Sequence, residues 1–300
     1  MIAGQKLERQ PELVSVILPV FNGADTLEQQ LLALAEQTYE GPWELVVSEN
    51  GSTDDSEAIV QAHAHRFPSF RLIDSSQRGG FSASCNQGVE AADGDFLMFT
   101  GQDDVVSPTW IAAMVDKARS CDLVGGAMEY ATVNSAEALE WFPTHGPFDE
   151  EPHAAMKFLP YAIGTNMGIW RDVFESHGRW NEDLRCGGED LYLSWSVQLS
   201  GLEFGFAPDA RVSFRYRAEP RALLKKTIQY AETHPYLYRR FKNHGIPRSR
   251  LVNAAKDWVW ILVHLPDLAR GPGPKGHWIT RFGMRVGRLK GSLRERSLYL

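Results

Sequence analysis

The amino-acid sequence predicts an α/β protein built on a mostly parallel β-sheet covered by helices, and three observations carry that expectation. The first hundred residues hold four short, nearly continuous apolar runs, as strands buried on both faces require. Between them lie segments whose apolar residues recur at helical spacing. Polar segments, most of them containing glycine, fall directly after the runs, outside the carboxyl ends of the strands, where sheets of this class hold ligands.

The run 14–20 (VSVILPV) is rich in β-branched residues and ends at Phe21-Asn22-Gly23, so it reads as a strand closed by a turn. Asp25 stands three residues before Glu28, the spacing of a capping box, and Leu27, Leu31 and Leu34 follow on one helical face. The next strand is 44–48 (ELVVS), followed by the turn-rich ENGSTDDS and a helix through Ile59 and Ala62. FRLI at 70–73 and DFLMFT at 95–100 are the third and fourth strands. Ser107 and Pro108 supply an N-cap and a first-turn proline for a helix carrying Ile111, Met114, Val115 and Ala118. A further strand runs over 123–128. Residues 130–160 are rich in Pro, His and acidic residues, lack a period, and read as a long irregular excursion over the site. Order resumes at 162–170. After Gly187-Gly188-Glu189-Asp190 comes an apolar helix with Leu191, Leu193, Trp195 and Val197, Trp195 being expected in the core. From Ala222 onward the chain reads as basic helices.

Composition narrows the classes. A chain of 300 residues that is 43% hydrophobic and 23% charged is neither disordered nor, with glycines lacking a three-residue period, collagen-like. Its three cysteines, Cys85, Cys121 and Cys186, are far apart and odd in number, which argues against a disulfide framework or a structural zinc and for a reducing, cytoplasmic setting. The stretch 258–265 (WVWILVHL) is too short to span a membrane, so a soluble or peripheral protein is expected. Charge is uneven. Residues 1–220 hold 14 Lys/Arg against 34 Asp/Glu, a balance of −20, whereas residues 221–300 hold 17 against 4, a balance of +13. Either the two parts complement one another, or the basic part meets an anionic surface.

No GxGxxG, GxxxxGK[ST] or GxSxG motif is present, so dinucleotide, P-loop and serine-hydrolase chemistry are disfavoured. Two acidic pairs remain. Asp103-Asp104 directly follows the fourth strand, where carboxylates suit a divalent ion or cap a turn. Glu189-Asp190 opens the apolar helix, where the dipole favours carboxylates, and the two glycines before it signal close approach of another group. Gly88, inside a helix with Asn86, asks for a packing or ligand reason. His63 and His65 point to different faces and make no metal site. Arg281, Arg285 and Arg288 have the spacing of an amphipathic surface helix or of a helix docked on the acidic part.

Taken together, VSVILPVFN, VVSENGSTDD, RGGFSASCNQG, FTGQDDVVSPTW and GGEDLYLSW, in this order over residues 14–217, resemble the family 2 glycosyltransferases. The resemblance implies the GT-A fold, a Rossmann-like, mostly parallel mixed sheet flanked by helices, here with a basic helical C-terminal extension. It divides the chain into a nucleotide-sugar-binding half (1–120), an acceptor-binding half (121–220) and the extension (221–300). It implies an inverting enzyme that moves a sugar from a nucleoside-diphosphate sugar to an acceptor hydroxyl on a sugar, a lipid-linked glycan or a small molecule, with no nucleic-acid partner. A non-catalytic protein binding sugar nucleotides or glycans is the rival.

By position, the resemblance assigns Pro19, Phe21, Asn22, Glu49, Asn50, Ser52, Gly79, Gly80, Asn86, Gln102 and Asp103 to the nucleotide-sugar site. Gly164, Thr165, Asn166 and Gly188 fall in donor- or acceptor-lining loops, Arg215 and Arg217 near the diphosphate. Asp190 is the general base, Glu189 its companion, and Asp103 the ligand of Mg2+ or Mn2+. Gly101 replaces the first aspartate of the usual DxD metal motif, so a weak or dispensable ion is expected. Glu49 stands for the usual aspartate, and Cys85 for a common arginine. Membership also suits a peripheral contact with the inner membrane face through 271–300.

Overall fold

The computed structural model describes residues 8–141, 148–184, 187–216 and 219–300. The apolar runs become strands because none of them alternates with polar residues. β1 (Val14–Val20) buries every side chain but Pro19, and β2 (Trp43–Glu49) and β4 (Phe96–Thr100) are equally inaccessible. β3 (Phe70–Asp74), half-buried, closes one edge. β5 (Val105–Val106), β6 (Leu123–Glu129), β7 (Asn166–Trp170) and β8 (Phe204–Ser213) complete a sheet in the order β3-β2-β1-β4-β7-β6-β8-β5. Pairing is parallel from β3 to β4 and between β6 and β8, and antiparallel where β7 meets β4 and β6 and where β5 meets β8. The expected mixed, mostly parallel α/β architecture is present.

The expected helices are present as α1 (Leu27–Ala35), α2 (Ser56–His63), α3 (Phe81–Ala91), α4 (Trp110–Ala118) and α7 (Glu189–Leu199), whereas the short α5 (Ala136–Glu140), inside the stretch read as irregular, and α6 (Arg171–Ser176) lie outside that expectation. Two capping expectations are corrected. Asp25 and Glu28 form no capping box; Thr26 is the N-cap of α1 without a side-chain bond, and the Leu27 N–H donates to the Gly23 carbonyl at 2.9 Å instead. Helix α4 starts two residues beyond Pro108, because Ser107 and Pro108 form the preceding turn, with Trp110 N–H on the Ser107 carbonyl at 3.0 Å. Gly88 has a packing reason: a Cβ there would come within 2.6 Å of Ile17 Cγ2, so α3 lies flush on β1 only without a side chain.

The basic extension forms α8 (Pro220–Glu232), α9 (His234–Phe241), α10 (Leu251–Val263) and α11 (Pro272–Glu295). Helix α9 buries Leu237 and Phe241 against Leu191 and Trp195 of α7, so Trp195 is core, as expected. Helix α11 lies along α8 and buries Gly276, Ile279, Gly283, Gly287 and Gly291 on that side. The few acidic side chains of the extension pair within it, Glu232 with Lys290 and Arg294 and Asp257 with Arg281 and Arg285, which leaves most of its basic charge uncompensated there. No described helix is long and apolar enough to cross a membrane.

Candidate active site

The loops after β1, β2 and β3 are sewn together by their own polar side chains. Asn22, at a left-handed φ of 48°, donates its N–H to Ser52 Oγ at 3.0 Å and accepts from Thr53 N–H at 2.8 Å. The Glu49 carboxylate accepts from the N–H groups of Gly51 (2.9 Å) and Ser52 (2.6 Å), which folds its turn onto itself. Asn50 donates to the carbonyls of Ser75 (2.7 Å) and Arg78 (3.1 Å) and accepts from Gly80 N–H (3.3 Å). Gln102 brackets the backbone of Phe21, accepting from its N–H at 2.7 Å and donating to its carbonyl at 2.9 Å. The Phe21 backbone is thus held in place while the residue is 55% exposed. Gly80, at φ 108°, caps α3 on a side open to at least 4 Å, and Gly79 precedes it.

The missing aspartate at Gly101 has a structural counterpart. A Cβ at Gly101 would lie 2.8 Å from Asp104 Oδ2, 3.2 Å from Thr165 Cγ2 and 3.4 Å from Asp103 Oδ1, so the Asp104 carboxylate fills the space beside Asp103. Asp104 Oδ1 accepts from Arg215 N–H at 3.4 Å, while Oδ2 is buried without a hydrogen-bond partner. Burial, reinforced by the Asp103 charge, pushes the Asp104 carboxyl up to about 7. An orphaned carboxylate oxygen beside a second carboxylate is a fitting seat for a divalent cation, whose oxygen-seeking charge would compensate both. No group of three or more His, Cys, Asp or Glu gathers among the described residues, so most of such an ion's ligands must come from elsewhere.

The second pair opens α7. Glu189 Oε2 is also buried without a partner, and burial followed by the Asp190 charge raises its carboxyl to about 8. Burial raises Asp190 as well, but the Leu191 N–H, 2.8 Å from Oδ1, and the Gly164 N–H favour its anion. The backbone carries Gly187 and Gly188 at φ 110° and 88°, and the group that approaches them is α8: a Cβ on Gly187 would strike the Tyr230 ring, and one on Gly188 would lie 2.8 Å from Thr233 Oγ1.

One dipeptide links the pairs. Gly164 donates toward Asp190, and Thr165 lies beside Gly101 and Asp104. Consecutive Cα atoms are about 3.8 Å apart, so the two acidic pairs flank neighbouring residues of one loop. Two residues expected to line the site are buried and bonded to the frame. Asn86 is buried and committed to Trp180, donating to its carbonyl at 2.9 Å and accepting from its N–H at 3.1 Å. Asn166, fully buried in β7, donates to the carbonyls of Ala127 and Ala210 and accepts from Trp110 Nε1 at 2.8 Å. Both brace the frame. The Arg215 guanidinium holds the Asp103 and Val133 carbonyls (both 3.1 Å) and Gln29 (2.8 Å), beside the first acidic pair. Arg217 and Cys186 lie outside the described residues.

Other participants escape motif reading. Lys226 of α8 faces Asp104 electrostatically, a contact hinted at only by the basic extension. Tyr161 neighbours Asp190, and its hydroxyl is pushed up by burial and that charge. His153 sits 2.6 Å from Asp149, which also accepts from Tyr130. These residues come from the aperiodic 130–160 excursion and its end. Cys85, buried beside Glu189, has its thiol held well above the usual range by burial.

Comparison with known proteins agrees with this geometry. The family model described as glycosyl transferase family 2 matches residues 15–178. Glycosyltransferase AglE of Haloferax volcanii is 27% identical over 199 residues, 65% of this chain and 64% of its own. A cholesterol galactosyltransferase of Borreliella burgdorferi is 32% identical over 154 residues, 50% of this chain and 42% of its own. The chain therefore spans less than two thirds of the length of either relative. Among solved structures, the mannosyltransferase PcManGT from Pyrobaculum calidifontis, in complex with GDP-Man and Mn2+, superposes with a TM-score of 0.55 at 17% identity, over 96% of this chain and 73% of its own. Residues 1–349 of TarS from S. aureus, in complex with UDP, give 0.52 at 14% identity, over 95% and 92%. These likenesses show the GT-A fold, and the match from β1 to beyond α6 covers more than half of the sequence: the chain belongs to glycosyl transferase family 2.

Proposed function

We propose that this protein is an inverting glycosyltransferase that moves a hexosyl or deoxyhexosyl unit from a nucleoside-diphosphate sugar to an acceptor hydroxyl in glycan, polysaccharide or glycoconjugate synthesis. The observation that carries this reading is a pair of buried carboxylates on either side of the Gly164-Thr165 dipeptide, Asp104 and Glu189, each with an orphaned oxygen. Burial beside the Asp190 charge favours the protonated form of Glu189, while the two N–H groups on Asp190 favour that carboxylate as the anion. Asp190 takes the acceptor proton as the acceptor oxygen bonds to the anomeric carbon from the face opposite the leaving group. The bond to the diphosphate oxygen breaks with its electron pair, and the anomeric configuration inverts. A well-placed base of this kind contributes about 10²–10⁴ in rate.

Asp103 and Asp104 would hold a Mg2+ or Mn2+ ion, which supplies Lewis-acid stabilisation to the departing nucleoside diphosphate. Lys226 and the remaining Arg215 donors add positive charge on that side. The exposed Phe21, on a fixed backbone, suits stacking on a base, with the Glu49 and Asn50 turns forming the rest of the nucleotide wall. The complexes of the structural neighbours with GDP-Man and UDP agree in ligand class. The test is a thermal-shift screen against UDP-, dTDP- and GDP-sugars with and without Mn2+, followed by release of the nucleoside diphosphate from whichever donor binds. Stabilisation by one donor and its slow hydrolysis are expected. Binding without any turnover would make the protein a sugar-nucleotide binder instead.

A further inference from the structure

The apolar side of α11 is spent on α8, but α10 carries an apolar side that nothing covers. Its buried residues, Ala254 and Ile261, are seven apart and define the inward face. Away from that face lie Leu251, Val252, Ala255, Val259, Leu262 and Val263, at offsets i, i+1, i+4, i+8, i+11 and i+12, which fall within about 120° of the helix circumference. Val252, Leu262 and Val263 are each 65% exposed or more, and Leu265 and Leu268 continue the surface beyond the helix. At 13 residues α10 is about 20 Å long, too short to cross a hydrocarbon core of about 30 Å.

Charge around this face has one sign. Arg248, Arg250 and Lys256 are exposed at its start and margin, and no carboxylate among the described residues pairs with them. Nearby acidic groups are turned inward, Asp257 onto Arg281 and Arg285 and Asp267 onto Arg270. Beside the start of α10 lies an apolar groove of about 630 Å³, floored by Pro247, Leu251, Val252 and Leu298. It adjoins a cavity of about 540 Å³ lined by Arg248, Arg250, Arg285, Arg288 and Lys157 and by one carboxylate, Asp257, which pairs with Arg285 at 3.4 Å. Arg285 is only 8% exposed.

We propose that α10 and the turn after it form an in-plane docking surface for an anionic phospholipid bilayer. The apolar face enters the boundary between headgroups and acyl chains, and the arginine-lined cavity receives headgroup phosphate. An uncovered apolar stripe bordered by unpaired basic residues is what an interfacial helix presents to such a surface. This moves the expected membrane contact from 271–300 to α10, with α11 acting as the clasp that holds it. The proposal stands independently of the chemistry assigned to the acidic pairs.

The full chain is sedimented with vesicles of phosphatidylcholine containing 30% phosphatidylglycerol and with pure phosphatidylcholine, and its size in solution is measured by light scattering. The expected result is binding to the anionic vesicles only, weakened at least tenfold by L262D/V263D, by R248E/R250E and by 0.5 M NaCl. All these positions are exposed, so both variants should keep the wild-type melting temperature and donor hydrolysis. Absence of wild-type binding at low salt would overturn the proposal, as would undiminished binding by folded L262D/V263D. A dimer that this variant splits, without vesicle binding by the wild type, would assign the face to a second copy of the chain and overturn it equally.

Discussion

Replacing Glu189 by Gln separates the roles proposed for the two carboxyls that open α7 more sharply than any other single change. Burial and the Asp190 charge push the Glu189 carboxyl up to about 8, so its protonated form is favoured at pH 7. The neutral carboxamide of Gln therefore resembles the state that already dominates, and kcat/KM for donor hydrolysis at pH 7 should fall by less than about threefold. Asp190→Asn removes the group argued to take the proton, and a loss of about 10²–10⁴ is expected with donor affinity retained. The pH profile adds a second reading. The wild type should show an inflection near pH 8 as Glu189 ionises beside Asp190, and Glu189→Gln should lack it. Stability follows the same proton. The folded carboxyl holds it more tightly than an unfolded glutamate near 4.5, so this contribution is complete below that value and lost as pH rises through about 8. Glu189→Gln should accordingly melt higher than wild type at pH 9. Coupled detection of the released nucleoside diphosphate between pH 6 and 9.5, with melting curves at the same points, supplies both readouts. If Glu189→Gln is as inactive as Asp190→Asn while binding donor normally, the assignment of proton holder and base is wrong.

Asp104→Asn and Asp103→Asn should each weaken Mn2+-dependent nucleoside-diphosphate binding at least tenfold by calorimetry and leave binding in EDTA nearly unchanged; equal loss in both conditions would make the pair structural. Gly101→Asp should not improve metal binding, because its Cβ would crowd Asp104 Oδ2 at 2.8 Å; urea unfolding should show a loss of about 1–3 kcal/mol. Gly88→Ala gains about 1 kcal/mol of helix propensity but meets Ile17 at 2.6 Å, so a net destabilisation on the order of 1 kcal/mol is expected in the same assay. A stabilised Gly88→Ala variant would mean that α3 shifts freely on β1.

The sequence by itself determined the order of the first four strands and the helices between them, and the positions of both acidic pairs, but not β5, β8, α5 or α6. Unbroken apolar runs such as 14–20 can only be buried strands in a chain of this composition, and their carboxyl ends gather by the geometry of a parallel sheet. It also exposed the departure at Gly101. Only the tertiary structure decided what each polar side chain faces. Asn86 and Asn166 sit in the expected segments, yet their hydrogen-bonding capacity is consumed by Trp180 and by Ala127, Ala210 and Trp110, residues up to about a hundred positions away. Asp104 reads as a turn-capping residue until Gly101 leaves room for its carboxylate beside Asp103. The glycines before Glu189 announce a close approach, but that the approaching body is α8 depends on how the extension docks. Likewise, periodicity marks α10 and α11 alike as amphipathic; packing against α8 buries one apolar side and leaves the other bare. Local pattern encodes which face of an element avoids water, while the partner of that face, and the pKa of a carboxyl within it, are set by contacts between segments distant in the chain.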